Sequence, residues 1–294
     1  MIYAFGAYVL WGILPLYWKL LAHVPSMAIM CHRIFFSLVF LALLPRLMPI
    51  QILKNLPLRT LLRHLTAAIF IGLNWWLFIY AINTNRILEA SLGYFLCPLV
   101  MSALGILVLG ERTNLAQSLA LVLAFAGVAS MTFIIGSLPW IALCLAFSFA
   151  LYSLLRKASP LGSLEGLYVE TVLLIPVALY VLWDLHLKAE PIFGHQTTLD
   201  WVLLAGTGPV TAIPLMLFAR GVRELTLIST SFMHYIGPTL QLFLGLVVYK
   251  ESMTLAQKIG FPFIWAAVIL YCLNLWVQHA RFRVDRSGQK NLSH

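Results

Sequence analysis

Residues 90–111 read ASLGYFLCPLVMSALGILVLGE, an apolar run with Pro98 near its middle and Glu111 at its end. Residues 230–251 read TSFMHYIGPTLQLFLGLVVYKE, with Pro238 and Glu251 at the same spacing. At this offset of 140 positions Phe95 meets Tyr235, and LAQ at 115–117 meets LAQ at 255–257, with no gap across 30 positions. Proline has no N–H to give and crowds the preceding turn. The carbonyls near Tyr94 and His234 should then be released, and the two prolines read as symmetric bends lining a shared path.

Two fainter matches extend the repeat. Lys19 falls on Lys157 at an offset of 138, and Arg33 on Glu170 at 137. The chain thus divides into halves of five apolar runs each, at 1–136 and 137–280, followed by a basic tail at 281–294. An odd number of spans makes each half enter the membrane from the opposite side. Such inverted repeats place their site near the midplane, between the halves.

Composition agrees. Of 294 residues, 62% are hydrophobic and only 10% charged, and the mean hydropathy is +0.93. Soluble domains carry roughly 25% charged residues. A spanning helix needs about 20 mostly apolar residues. Ten windows qualify: 2–21, 26–45, 61–83, 88–109, 115–135, 138–156, 166–184, 200–220, 227–248 and 257–279. The expected fold is an all-α integral membrane protein of ten transmembrane helices. Runs such as LALVLAFAGVASMTFII lack the alternation of a membrane β-strand. The first window has no basic leader and no small-residue cleavage site, so it does not read as a signal peptide.

The net charge of +9 does not indicate nucleic acid once the cations are placed. Alternate loops and the tail hold 13 of the 19 Lys and Arg, the opposite loops hold 5, and Arg33 lies inside a span. The positive-inside rule then puts both termini in the cytoplasm, and the tail reads as an anchor near anionic lipid. Cys31, Cys97, Cys144 and Cys272 lie in or beside spans without metal-ligand or disulfide spacing. No phosphate-binding glycine loop is present, which excludes an ATP-driven pump acting alone. Neither a metal nor a cofactor is expected.

Several segments resemble a known family. CHR at 31–33, GLNWWLFIYAIN at 72–83, LEASLGYFLCPL at 88–99, ALCLAFSFALYSLLRK at 142–157, ETVLLIP at 170–176 and YIGPT at 235–239 are similar to the RarD permeases. These belong to the EamA family of the drug/metabolite transporter superfamily. The resemblance spans nearly the whole chain and implies a bacterial inner-membrane carrier of small drug-like or metabolite molecules. It departs at the start, where Met1 opens directly onto the first span and family members carry a short polar leader.

Ionisable residues inside spans are costly and point to function. Arg33 should lie roughly 10 Å below the outer edge and Glu170 roughly 6 Å from the inner edge, at 1.5 Å per residue. Across a core of about 30 Å they cannot pair with each other. Glu89 is the expected partner of Arg33 and Arg220 that of Glu170, giving outer and inner polar clusters that act as gates or as plain neutralised contacts. His32 and His234 are candidates for proton coupling, because imidazole titrates near neutral pH; hydrogen-bonded packing is their alternative. Asn74, Trp75, Tyr94, Phe95 and Tyr235 cluster near the prolines and are candidate substrate contacts, with His234, Pro98 and Pro238. An aromatic cavity with few polar groups suits an amphipathic or aromatic small molecule.

The leading reading is a secondary transporter working by alternating access, as a monomer or homodimer in the bilayer. An uncoupled facilitator is the alternative. An intramembrane lipid-modifying enzyme would need acid, base or metal groups clustered on facing helices, whereas the intramembrane charges here are scattered in depth.

Overall fold

A computed structural model describes residues 1–44, 56–84, 86–136, 140–187, 197–248, 250 and 252–291. Among them every regular element is helical: α1 (Ile2–Leu20), α2 (Ser26–Ala42), α3 (Leu58–Asn83), α4 (Ile87–Leu109), α5 (Leu115–Ile135), α6 (Trp140–Lys157), α7 (Ser163–Leu187), α8 (Thr198–Glu224), α9 (Leu227–His234), α10 (Ile236–Val247) and α11 (Leu255–Asn291). Seven of these, α3 to α8 and α11, are long and apolar enough to cross a membrane. Their outer faces are apolar too: Phe133, Leu107, Trp276 and Tyr180 are exposed. Such surface suits lipid and not water.

Local chemistry sets the helix ends. Gly110 and Gly136 stop α4 and α5 at φ of 65° and 74°, a left-handed conformation that glycine adopts without steric cost. The repeated LAQ has a physical meaning. Gln117 accepts from the Asn114 amide at 3.1 Å, and the Gln117 amide donates to Asn114 Oδ1 at 2.9 Å. At the start of α11, Gln257 accepts from the Thr254 amide at 2.9 Å, and its own amide donates to Thr254 Oγ1 at 3.3 Å. Both glutamines close a reciprocal capping box.

The prolines do not bend their helices alike, which corrects the symmetric expectation. Pro98 lies inside α4, which runs unbroken from Ile87 to Leu109. Pro238 lies in the first turn of α10, and the break comes at Tyr235. Tyr235 donates its amide to the Phe232 carbonyl at 3.3 Å, tightening the end of α9. Close packing supports α4 where it would bend: a Cβ on Gly93 would stand 3.0 Å from Leu145 Cβ and 3.1 Å from the Ala142 carbonyl oxygen.

Small residues bring the helices together, as in other membrane bundles. Gly127 of α5 faces Gly260 of α11, Gly221 of α8 faces Ala4 of α1, and Gly208 of α8 faces the Phe36 carbonyl of α2. The neighbour relations come in pairs. α4 packs on α6, and α1 packs on α9 and α10; α3 packs on α6, and α1 on α8; α2 packs on α8, and α3 on α7.

Glu251 and the side chains of Glu89 and of the basic tail at 281–294 lie outside the described residues.

Candidate functional site

A cavity of about 220 Å³ lies among α1, α3, α4 and the α9–α10 junction. It is larger than the ~150 Å³ protein cavities that accept benzene. Its lining runs from Tyr8 and His234, inside the bundle, to Trp18 at the far end of α1. Eight of its 18 lining residues carry an aromatic ring, His234 included. His234 meets Tyr8 edge-on at 5.0 Å, meets Phe149 at 5.4 Å and stacks with Tyr94 at 6.4 Å.

The polar groups in the wall are few. Asn74 donates to the Leu145 carbonyl at 2.9 Å and to Ser148 Oγ at 3.0 Å, which fixes its amide. Gln241 donates to the Trp11 carbonyl at 3.2 Å. Among the described residues the Tyr8 hydroxyl and His234 Nδ1 are buried without a hydrogen-bond partner. Arg33 reaches in from α2. Its guanidinium carbon lies 4.3 Å from the Trp75 ring centroid and 5.4 Å from that of Trp18, and its Nε donates to Thr211 Oγ1 at 3.2 Å.

Of the residues picked from sequence as substrate contacts, the structure brings Asn74, Trp75, Tyr94, His234 and Pro238 to this wall, along with Arg33. It places Pro98, Phe95 and Tyr235 elsewhere. Phe95 and Tyr235 sit in a separate apolar core, where Phe95 also packs edge-on against Phe261 at 4.9 Å. They face α11 because one turn of α4 and of α9 points Tyr94 and His234 inward and the adjacent residue about 100° away. His32 is likewise turned from the cavity: its Nδ1 bonds the Ala28 carbonyl at 2.8 Å, and its ring packs near Phe36 and Trp201.

A second polar site fills the opposite end of the bundle. Glu170, 1% exposed, accepts from Arg156 Nη1 at 3.1 Å and from the Tyr152 hydroxyl at 3.3 Å, and lies 2.8 Å from His64 Nδ1. His64 Nε2 meets Ser159 Oγ at 2.9 Å. Arg156 also donates to the Ser163 carbonyl at 3.0 Å. This corrects the expected Glu170–Arg220 pair. Arg220 bonds Glu224 at 3.1 Å, one turn along an exposed face, and lies over the Tyr3 ring at 4.0 Å. α7 packs chiefly on α2 and α3, which supplies His64 as the partner instead.

Nearby, Glu111 accepts from the Leu227 and Ile228 amides at 2.6 and 3.0 Å, capping α9. Lys157 lies 3.9 Å from Glu111 and donates to the last carbonyls of α8, Val222 and Leu225. The sequence carried a signal for His64, an ionisable residue within the 61–83 window. Arg156 counts in the sequence among the loop cations, and no motif marks Tyr8, Trp11 and Trp18 as cavity residues, because an apolar helix does not announce its inner face.

The comparisons with known proteins follow this geometry. Residues 1–133 match the EamA-like transporter family. The chain is 40% identical to "Uncharacterized transporter YojE" of Bacillus subtilis, covering 92% of each chain. It is 38% identical to "Protein RarD" of Escherichia coli, over 92% of this chain and 93% of that one. It is 30% identical to "Chloramphenicol-sensitive protein RarD" of Pseudomonas aeruginosa, over 90% of each. A solved crystal structure with 17% sequence identity matches at a TM-score of 0.65, over 92% of this chain and 96% of that one, which shows a shared fold. A multi-pass helical membrane protein with this sequence likeness along its length belongs to the EamA-like transporter family, as a RarD-type permease.

Proposed function

We propose that the protein is a secondary transporter that moves a small drug-like or metabolite molecule across the bacterial inner membrane by alternating access, in the direction of export. The observation that carries this reading is the aromatic cavity, built from the repeat-related segments around Tyr94 and His234 together with α1 and α3. Its chemistry is binding and release, with no covalent step.

In this reading α1 to α5 and α6 to α11 are two inverted repeats of five spans, with α9 and α10 forming one interrupted span. The paired neighbour relations and the shared capping boxes support it. Both termini are cytoplasmic. In this reading the cavity opens outward, since its lining extends to Trp18 while buried charges fill the other end. Glu170 with His64, and His234 in the cavity, are the candidates for proton coupling.

The test uses purified protein in sealed liposomes. Uptake of aromatic compounds, amino acids and chloramphenicol is followed with and without an imposed pH gradient. Uptake of one class that accelerates with the gradient supports a coupled carrier. Gradient-independent uptake identifies a facilitator, and no uptake across the set counts against transport.

A further inference from the structure

Resting on the transporter reading, we propose that the cargo carries a carboxylate on an apolar or aromatic body, and that Arg33 is the residue that grips it.

Arg33 is the one formally charged side chain among the described residues lining the cavity, and no carboxylate stands in that wall. A guanidinium has five N–H donors. Here Nε bonds Thr211, and among the described residues nothing accepts from the four hydrogens of the terminal nitrogens. No described carboxylate lies within ion-pair distance of Arg33. Leaving a cation in the membrane interior without a counter-charge is costly, and such residues mark substrate paths.

The setting also selects the shape of the anion. The guanidinium carbon lies over the Trp75 ring at 4.3 Å and over that of Trp18 at 5.4 Å. A stacked guanidinium keeps its edge for two parallel hydrogen bonds to a carboxylate. One positive charge balances a monoanion. The remaining wall, with Tyr8, Phe149 and Tyr94, offers rings to an apolar body. The Tyr8 hydroxyl, buried and without a partner among the described residues, stands ready for a second polar group on the cargo.

The test measures binding to purified full-length protein by quenching of tryptophan fluorescence. The probes are 3-phenylpropionate, its primary amide and 2-phenylethylammonium, which share a ring and differ in charge. The acid should bind roughly 10- to 100-fold tighter than the amide, the range of a charge-assisted hydrogen bond. The ratio should fall to about one in Arg33→Gln and recover in part in Arg33→Lys, in variants whose melting curves match the parent. Equal binding of acid and amide, absence of binding by all three, or an unchanged ratio in Arg33→Gln would overturn the proposal. So would an acid preference that emerges only in Glu89→Gln, because Glu89 would then be the counter-charge. Uptake of the same acid into liposomes separates the two readings. Arg33-dependent binding without transport leaves the anion site standing and removes the carrier.

Discussion

Phe95 and Tyr235 stand 140 positions apart in the chain and face each other in the fold, with ring centroids 6.5 Å apart and planes inclined by 20°. The Tyr235 hydroxyl reaches the Phe95 carbonyl at 3.4 Å, a long contact. They are the equivalent positions of the two repeated segments. Their role is to pack α4 against the α9–α10 junction, so Tyr235→Phe should cost under about 1 kcal/mol. Tyr235→Ala should cost on the order of 3–5 kcal/mol by leaving a cavity. Thermal unfolding in detergent measures both.

Glu170 should couple to Arg156 and not to Arg220. Removing one partner of a buried pair leaves the other charge stranded, at about 3–5 kcal/mol. A double-mutant cycle of Glu170→Gln with Arg156→Met should therefore show a coupling of roughly 1–3 kcal/mol. The same cycle with Arg220→Ala should be additive within about 0.5 kcal/mol.

Gly166 is the floor of that cluster. A Cβ there would fall 1.9 Å from Arg156 Nη1 and 2.8 Å from His64 Cε1. Gly166→Ala should lower stability by about 1–3 kcal/mol through overpacking. Gly6→Ala is the control, since its added Cβ meets nothing nearer than Leu217 at 3.7 Å. Comparable melting of the two variants would contradict the described packing.

Glu111 joins the end of α4 to the start of α9 by accepting from two amides. Glu111→Ala should cost about 0.5–2 kcal/mol, the usual value of a helix N-cap. Hydrogen exchange should rise at the amides of Leu227 and Ile228 and leave the start of α5 unchanged.

Hydropathy located the helical runs, because a continuous apolar run has few other solutions; seven described helices are long and apolar enough to cross a membrane, and the break at Tyr235 within 227–248 was not legible. The repeated LAQ was legible as a match, and its capping role was not. Side-chain partners were not. Depth arithmetic correctly kept Arg33 and Glu170 apart, yet it chose Arg220 for Glu170, because it could not say that α7 rests on α3 and so meets His64. The proline pair shows the same limit. Identical residues lie in an unbroken helix at Pro98 and just beyond a break at Pro238, so the residue type alone does not set the bend. Within the cavity, the sequence marked Tyr94 and His234 by their place beside the prolines, and missed the rings of α1, which no motif distinguishes.

Arg156 and Glu170 are only 14 positions apart, on either side of the short turn between α6 and α7, and the carbonyls of Gly162 and Ser163 in that turn share the guanidinium. The consequence belongs to biosynthesis. A charged side chain costs about 2.5–3.5 kcal/mol at the centre of an inserting helix, and near a span's end each of these charges alone carries part of that penalty. Joined across one hairpin they leave the ribosome almost together and can partition as a neutral unit before any other helix docks. His64, drawn from the earlier-made α3, completes the site when α3 packs on α7.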